Sequence, residues 1–181
     1  MKRFVLAALV LGASCARKPE GSYAVMETSK GRMTARLFED RAPGTVAHVR
    51  ALCGRAKPYY DGLPFHRVVP GFLIQTGDKT GTGHGDAHLP VADEIRPDAR
   101  FDRPGLLAMA SWGPGTSQTQ FFITLAPAAD LDGRHTIFGE LVEGLEVAKA
   151  IASVPRDTTD GADRPYDLPL LLSLRLTSSR P

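Results

Sequence analysis

An all-β domain with two added helices is the fold class that this 181-residue chain predicts. Three features predict it. Short runs alternate apolar and polar residues with the period of a half-buried strand. Only two segments carry a helical apolar stripe. Glycine and proline, 18 and 14 of them, punctuate the runs. Together these indicate a barrel or a sandwich with helical additions. The length gives room for one well-buried domain, and no internal repeat or second core is evident.

The elements follow in order. Residues 15–22 form a short polar tether containing Pro19 and Gly21. Tyr23 to Thr28 and Met33 to Phe38 alternate around Ser29-Lys30-Gly31, a hairpin signal. Met33, Ala35 and Leu37 then share one face, and Thr34 and Arg36 the other. In APGTVAHVRALCG, Pro43 suits a first helical turn. Val46, Val49, Leu52 and Cys53 form a stripe, and Gly54 is a stop. Phe65 to Gln75 carries strand signals broken at Pro70-Gly71, so Phe65, Arg67 and Val69 fall on one face and His66 and Val68 on the other. Gly77 to Gly85 is a glycine-rich loop. Leu106 to Ala110, Gln120 to Thr124 and Thr136 to Leu141 are further strands. Glu143-Gly144 opens a second helix with Leu145, Ala148, Ile151 and Ala152 inward, ended by Pro155. Arg156 to Pro169 is a polar loop, and Leu170 to Thr177 is a last strand.

Apolar residues make up 43% of the chain and the formal charge is +2, the balance of an ordinary globular protein. Lys2 and Arg3 account for that excess, and without them the domain is neutral. Nucleic acid is therefore not an expected partner. Residues 1–14 have a secretory layout: Lys2-Arg3, an apolar run from Phe4 to Leu11, then Gly12-Ala13-Ser14. The run is too short to span a bilayer. Cys15 follows directly, as in a bacterial lipoprotein cleavage box, although Gly12 stands where that box usually has Leu. Acylation of Cys15 is the expectation, and ordinary cleavage with a soluble product is the alternative. Ala16 after the Cys resembles Gram-negative outer-membrane sorting. An exported protein of the periplasm or cell envelope follows, touching membrane only through the lipid. Acylation would leave Cys53 without a disulfide partner, and its place on a helix stripe reads as a core thiol.

The run FHRVVPGFLIQTGD, Phe65 to Asp78, is the most informative stretch. It sets Arg67, whose fixed donor fork stays protonated, beside large apolar residues, which suits a neutral, carbonyl-bearing ligand. A salt-bridged strand is the plainer reading of this run alone.

Two further blocks, GLLAMASWGPGTSQTQFFIT from Gly105 and LDGRHTIFG from Leu131, occur in order after it. With these three, and with YYDGLPFHRV and GDKTGTGHGD between and beside them, the chain resembles the cyclophilin family of peptidyl-prolyl cis-trans isomerases from Tyr23 to its C-terminus. The resemblance implies a closed eight-stranded antiparallel β-barrel capped by the two helices, with residues 23–181 as the domain. It implies isomerisation of X-Pro bonds in Pro-containing polypeptides. Catalysis of that rotation needs no nucleophile, metal or cofactor, only a proline pocket and a donor that favours a localised nitrogen lone pair.

Arg67 suits that donor by its chemistry, and the resemblance assigns it the same role. By resemblance, Gln75 orients Arg67 and bonds substrate backbone. Phe72, Leu73, Phe122 and Leu131 form the proline pocket with His135 at its edge. Ala110, Ser111 and Gln120 line the groove for residues before proline, and His66 neighbours the Arg. Phe121 reads as core on the opposite face from Phe122. Ser111 and Trp112 depart from a common Asn and a small residue. Asp130 stands where cyclosporin-sensitive members carry Trp, which argues against tight cyclosporin binding. Each assignment has a plainer version: an ion pair for Arg67, core packing for Phe122 and Leu131, structural hydrogen bonds for Gln120 and Ser111. Trp112 reads equally as a peptide-stacking ring or a surface aromatic. His84, His88 and Asp86 match no closed metal spacing, so a solvated loop is expected there. The competing function is a binding module that holds Pro-containing segments with little turnover; Arg67, Gln75 and Phe122 favour the enzyme, and Trp112 and Ser111 keep the alternative open. No cofactor and a monomer are expected.

Overall fold

The computed structural model describes residues 22–85, 87–159 and 161–181. The leader, Cys15, most of the tether and Asp86 lie outside the described residues. The strands are β1 (Tyr23–Thr28), β2 (Gly31–Leu37), β3 (Leu63–Pro64), β4 (Arg67–Val69), β5 (Leu73–Thr76), β6 (Leu106–Met109), β7 (Phe121–Thr124), β8 (Ile137–Glu143), β9 (Arg156–Asp157), β10 (Arg164–Pro165) and β11 (Leu170–Thr177). The helices are α1 (Pro43–Cys53) and α2 (Leu145–Ala152), with a 3-10 turn at Ala129–Leu131.

Nine strands form one antiparallel sheet in the order β3-β11-β1-β2-β8-β6-β7-β5-β4. This corrects the expected closed eight-stranded barrel: the sheet is an open half-barrel, because no ladder joins β3 to β4. The physical reason lies at the edges. β3 and β4 are two and three residues long and consecutive in the chain, and Pro64 has no N–H to give. The next donors are used elsewhere, Phe65 N–H on Pro169 O and Val68 N–H on Asp163 O. Short edges covered by a returning segment are also poor templates for another strand.

The sheet has two apolar faces. One carries Met26, Met33, Val68, Ile74, Leu107, Phe121, Ile123 and Phe138, packed against Val46, Val49 and Leu52 of α1 and Ala148, Ile151 and Ala152 of α2. The other carries Phe38, Leu73, Phe101, Leu106, Ala108, Phe122 and Ile137. Phe121 and Phe122 therefore divide between the faces as their adjacency requires. Phe65 does not share a face with Arg67 as expected. It is fully buried with Val68 in the first cluster, because β4 begins only at Arg67 and strand alternation does not extend back across His66. The segment Arg156 to Pro169 is also more than a polar loop, since β9 and β10 pair within it.

Helix α1 starts without a side-chain cap from its own N-cap residue, Ala42. Glu94, fifty residues on, supplies it: its carboxylate accepts from Gly44 N–H at 2.9 Å, Thr45 N–H at 2.7 Å and Thr45 Oγ1 at 2.8 Å. A carboxylate there satisfies orphan amides and complements the helix dipole. Cys53, the last residue of α1, is half-buried against the core, and burial pushes its thiol up to about 12, which leaves it unreactive.

Replacing Glu94 by Ala is expected to cost about 1–2 kcal/mol of stability, with Glu94→Gln milder. Urea denaturation checks this as a lower midpoint at unchanged slope.

Candidate active site

Four strands bring the site together by register. Arg67 on β4 is paired with Gln75 on β5, Gln75 with Phe122 on β7, and Phe122 with Ala108 on β6. Direct antiparallel partners point to the same face, so Arg67, Gln75 and Phe122 stand in one row. At about 4.8 Å per strand the row spans roughly 10 Å. It borders a cleft of about 540 Å³, a size suited to a short peptide. Every catalytic and substrate-binding residue expected from the sequence lines this cleft: Arg67, Gln75, Phe72, His66, Leu73, Ala110, Ser111, Gln120, Phe122, Leu131 and His135. Asp130 is outside the lining.

The apolar end is built on Phe122, which is buried, stacks on Phe101 at 5.9 Å between ring centres, and meets His135 edge-on at 5.3 Å. Phe72, Leu73 and Leu131 complete it. His135 Nδ1 lies 3.1 Å from Met109 O and 3.3 Å from Ser111 Oγ. A carbonyl only accepts, so Nδ1 carries the proton. Burial lowers the pKa of this ring, and it rests neutral.

Arg67 keeps its side chain 34% exposed, with its guanidinium 3.9 Å from Asp163 and 6.0 Å above the Phe72 ring centre. Gln75 does not bond Arg67; its amide donates to Gln120 Oε1 at 2.9 Å, and Gln120 donates to Gly83 O at 3.1 Å. The expected orientation of Arg67 by Gln75 is thus replaced, among the described residues, by the Asp163 carboxylate. Asp163 in turn accepts from Arg156 Nε at 3.3 Å, and its backbone carbonyl accepts from Val68. Sequence reasoning missed Asp163 because the loop carrying it lies far along the chain; the signal was a charged Asp-Arg pair before Pro165. Arg164 of that pair lines the cleft and donates to Gly81 O.

His66 is 4% exposed, and among the described residues neither ring nitrogen makes a well-aligned hydrogen bond. Burial pushes its pKa down to about 4, partly opposed by the Asp78 carboxylate. It is a packed, neutral ring at the base of the cleft.

The glycine-rich stretch is a second wall. Asp78, almost fully buried, accepts from the N–H groups of Thr80, Thr82, Gly83 and Gly85 at 2.7–3.2 Å. Burial alone would raise its pKa, but the bonds from Thr80, Gly83 and Gly85 outweigh that and hold it below the usual carboxylate range. A Cβ on Gly85 would overlap the Asp78 carboxylate, so only glycine fits there. His84 is exposed on this ordered loop and stacks on Trp112.

A guanidinium beside an apolar, aromatic pocket, with amide side chains along the same groove, defines a cleft for a neutral, carbonyl-bearing peptide segment. Residues 23–173 match the family model of cyclophilin type peptidyl-prolyl cis-trans isomerases, and the chain belongs to that family. It is 41% identical over 167 residues to peptidyl-prolyl cis-trans isomerase A of Mycobacterium tuberculosis, covering 85% of this chain and 91% of the relative. It is 43% identical over 148 residues to peptidyl-prolyl cis-trans isomerase CYP18-2 of Arabidopsis thaliana, covering 79% and 89%. The crystal structure of a cyclophilin type isomerase from Cryptosporidium parvum superposes with a TM-score of 0.81 at 34% identity, covering 89% of this chain and 99% of that one. A second structure of that protein was obtained in the presence of the dipeptide Ala-Pro.

The depressed His66 pKa has a stability consequence. The ring binds its proton more weakly folded than unfolded, so its contribution is complete above about 6.5 and is lost as pH falls towards about 4. The loss is expected to reach at most about 3 kcal/mol. Denaturation of wild type and His66→Gln across that window tests it: the variant should show the shallower pH dependence.

Proposed function

We propose that this chain catalyses cis-trans isomerisation of X-Pro bonds, with Arg67 as the donor. Rotation about the peptide bond is opposed by roughly 18–20 kcal/mol of lost amide resonance. At the twisted geometry the prolyl nitrogen regains its lone pair and becomes a hydrogen-bond acceptor. A guanidinium fork beside it stabilises that state more than the planar amide, and acceleration requires that difference. The proline ring lies against Phe72, Leu73, Phe122 and Leu131, where burial holds it while the carbonyl side turns. Gln75, Gln120, Ala110 and Ser111 hold the flanking backbone. Asp163 stands 3.9 Å from the Arg67 guanidinium and restrains it by charge. No proton moves, which fits two histidines that rest neutral. The observation that carries this reading is the single register row joining Arg67, Gln75 and Phe122.

We further propose that the domain is exported, tethered to the cell envelope by a lipid on Cys15, and acts there as a monomer on newly exported chains. The leader layout and the neutral domain charge support this.

Replacing Arg67 by Ala is expected to lower kcat/KM by about a hundredfold or more, with Arg67→Lys intermediate. NMR exchange on an Ala-Pro-Phe peptide measures it. Peptide binding with no acceleration by the wild type would leave only a binding module. Replacing Cys15 by Ser should move the protein from the membrane fraction to the soluble fraction of a bacterial host and abolish fatty-acid labelling.

A further inference from the structure

Among the described residues Arg67 makes one ion pair, to Asp163 Oδ2 at 3.9 Å. That separation is about 1 Å longer than a close charge-assisted hydrogen bond, so the fork is drawn towards the carboxylate without being captured by it. The other carboxylate oxygen is engaged elsewhere: Asp163 Oδ1 accepts from Arg156 Nε at 3.3 Å. Two arginines therefore share one carboxylate, one oxygen each. The side chains of Arg156 and Asp163 are 25% and 19% exposed, so water screens them less than it screens a surface pair. Neighbouring charges stay out of this competition. Arg164 donates to Gly81 O, and Asp157 accepts from Thr159. The backbone fixes the arrangement. Arg156 pairs with Pro165 across β9 and β10, and Asp163 O accepts from Val68 N–H at 3.0 Å, next in the chain to Arg67. Asp163 itself has a φ of 50°, a left-handed conformation that Asp, Asn and Gly tolerate. Neither Arg156 nor Asp163 lines the cleft.

We propose that Arg156 is a positioning residue that keeps the Arg67 fork free for substrate by competing with it for Asp163. This rests on the isomerase reading of the cleft. A guanidinium and a carboxylate that meet without a rival close into a bidentate pair. Such closure would occupy two donors of the fork that the twisted amide needs. With Arg156 in place the attraction is divided, and Arg67 is restrained by charge while its donors stay open. Arg156 thus acts on the reaction from outside the cleft, through the Asp163 carboxylate alone. Loss of this remote cation would weaken the reaction by strengthening an ion pair beside it.

The test compares the wild type, Arg156→Gln, Asp163→Asn and the double variant by NMR exchange on an Ala-Pro-Phe peptide. Asparagine tolerates the left-handed backbone at 163, so the charge is removed without straining the turn. Arg156→Gln should lower kcat/KM roughly three- to tenfold. Asp163→Asn alone should lower it less than about twofold, and adding Arg156→Gln to it should cost nothing further. Arg156→Lys, which keeps the competing charge, should stay near the wild type. The Arg67 Nε–H resonance, assigned by its absence in Arg67→Ala, should shift in Arg156→Gln and return in the double variant. Those shifts without acceleration by the wild type would reject the isomerase reading while supporting the positioning role. In an active enzyme, Arg156→Gln at the wild-type rate, an equal loss from Arg156→Gln in both backgrounds, or Arg156→Lys as slow as Arg156→Gln would overturn it. An Arg67 signal that does not respond to Arg156→Gln would overturn it in either case.

Discussion

A one-residue slip between β4 and β5 would turn Arg67 into the core and Val68 into the cleft. Side chains alternate with period two, so register is the constraint on which the rest of the site depends. The apolar pattern enforces it from both sides. Val68, Ile74, Ile123 and Leu107 must reach one cluster, and Leu73, Phe122 and Ala108 the other. With both faces buried over most of their area, no alternative register keeps the apolar residues dry. The position of the guanidinium is thus set by burial of its neighbours more than by any bond it makes itself.

Two carboxylates, one local and one remote, complete what the sheet begins. Asp78 gathers four backbone amides of an otherwise irregular loop, and Glu94 closes the exposed start of α1 from fifty residues away. Both replace water on N–H groups that would otherwise lack a partner. Rigidity follows where loops would normally move, which a groove for an extended peptide requires. Asp163 does a related task for Arg67. Its loop covers the edge that an open sheet leaves, so the missing barrel closure and the anchoring of the donor have one structural solution.

The polar groups of the cleft are arranged for binding without proton transfer. His66 and His135 are both pushed towards neutrality by burial, and the amides of Gln75 and Gln120 bond to each other in series. What remains free to meet substrate is a cation at one end and apolar surface at both. That combination suits an amide whose charge distribution changes while its protonation does not.

The sequence by itself determined the helix stripes, most strand positions and the composition of the pocket. It did so because those depend on local periodicity and on residues close together in the chain, above all Phe65 to Gln75 and Leu106 to Phe122. Its limits appeared wherever distant segments meet. Phe65 was misplaced because alternation was carried through a chain segment that is not a strand. The barrel was expected to close, yet Pro64 and the donors beside it are committed to the returning C-terminal segment. Asp163, Glu94 and the pairing of His84 with Trp112 each join loops separated by 28 residues or more. Such partners leave no periodic trace, because nothing in a local run records which remote carboxylate or ring will meet it. Only the tertiary fold decided them.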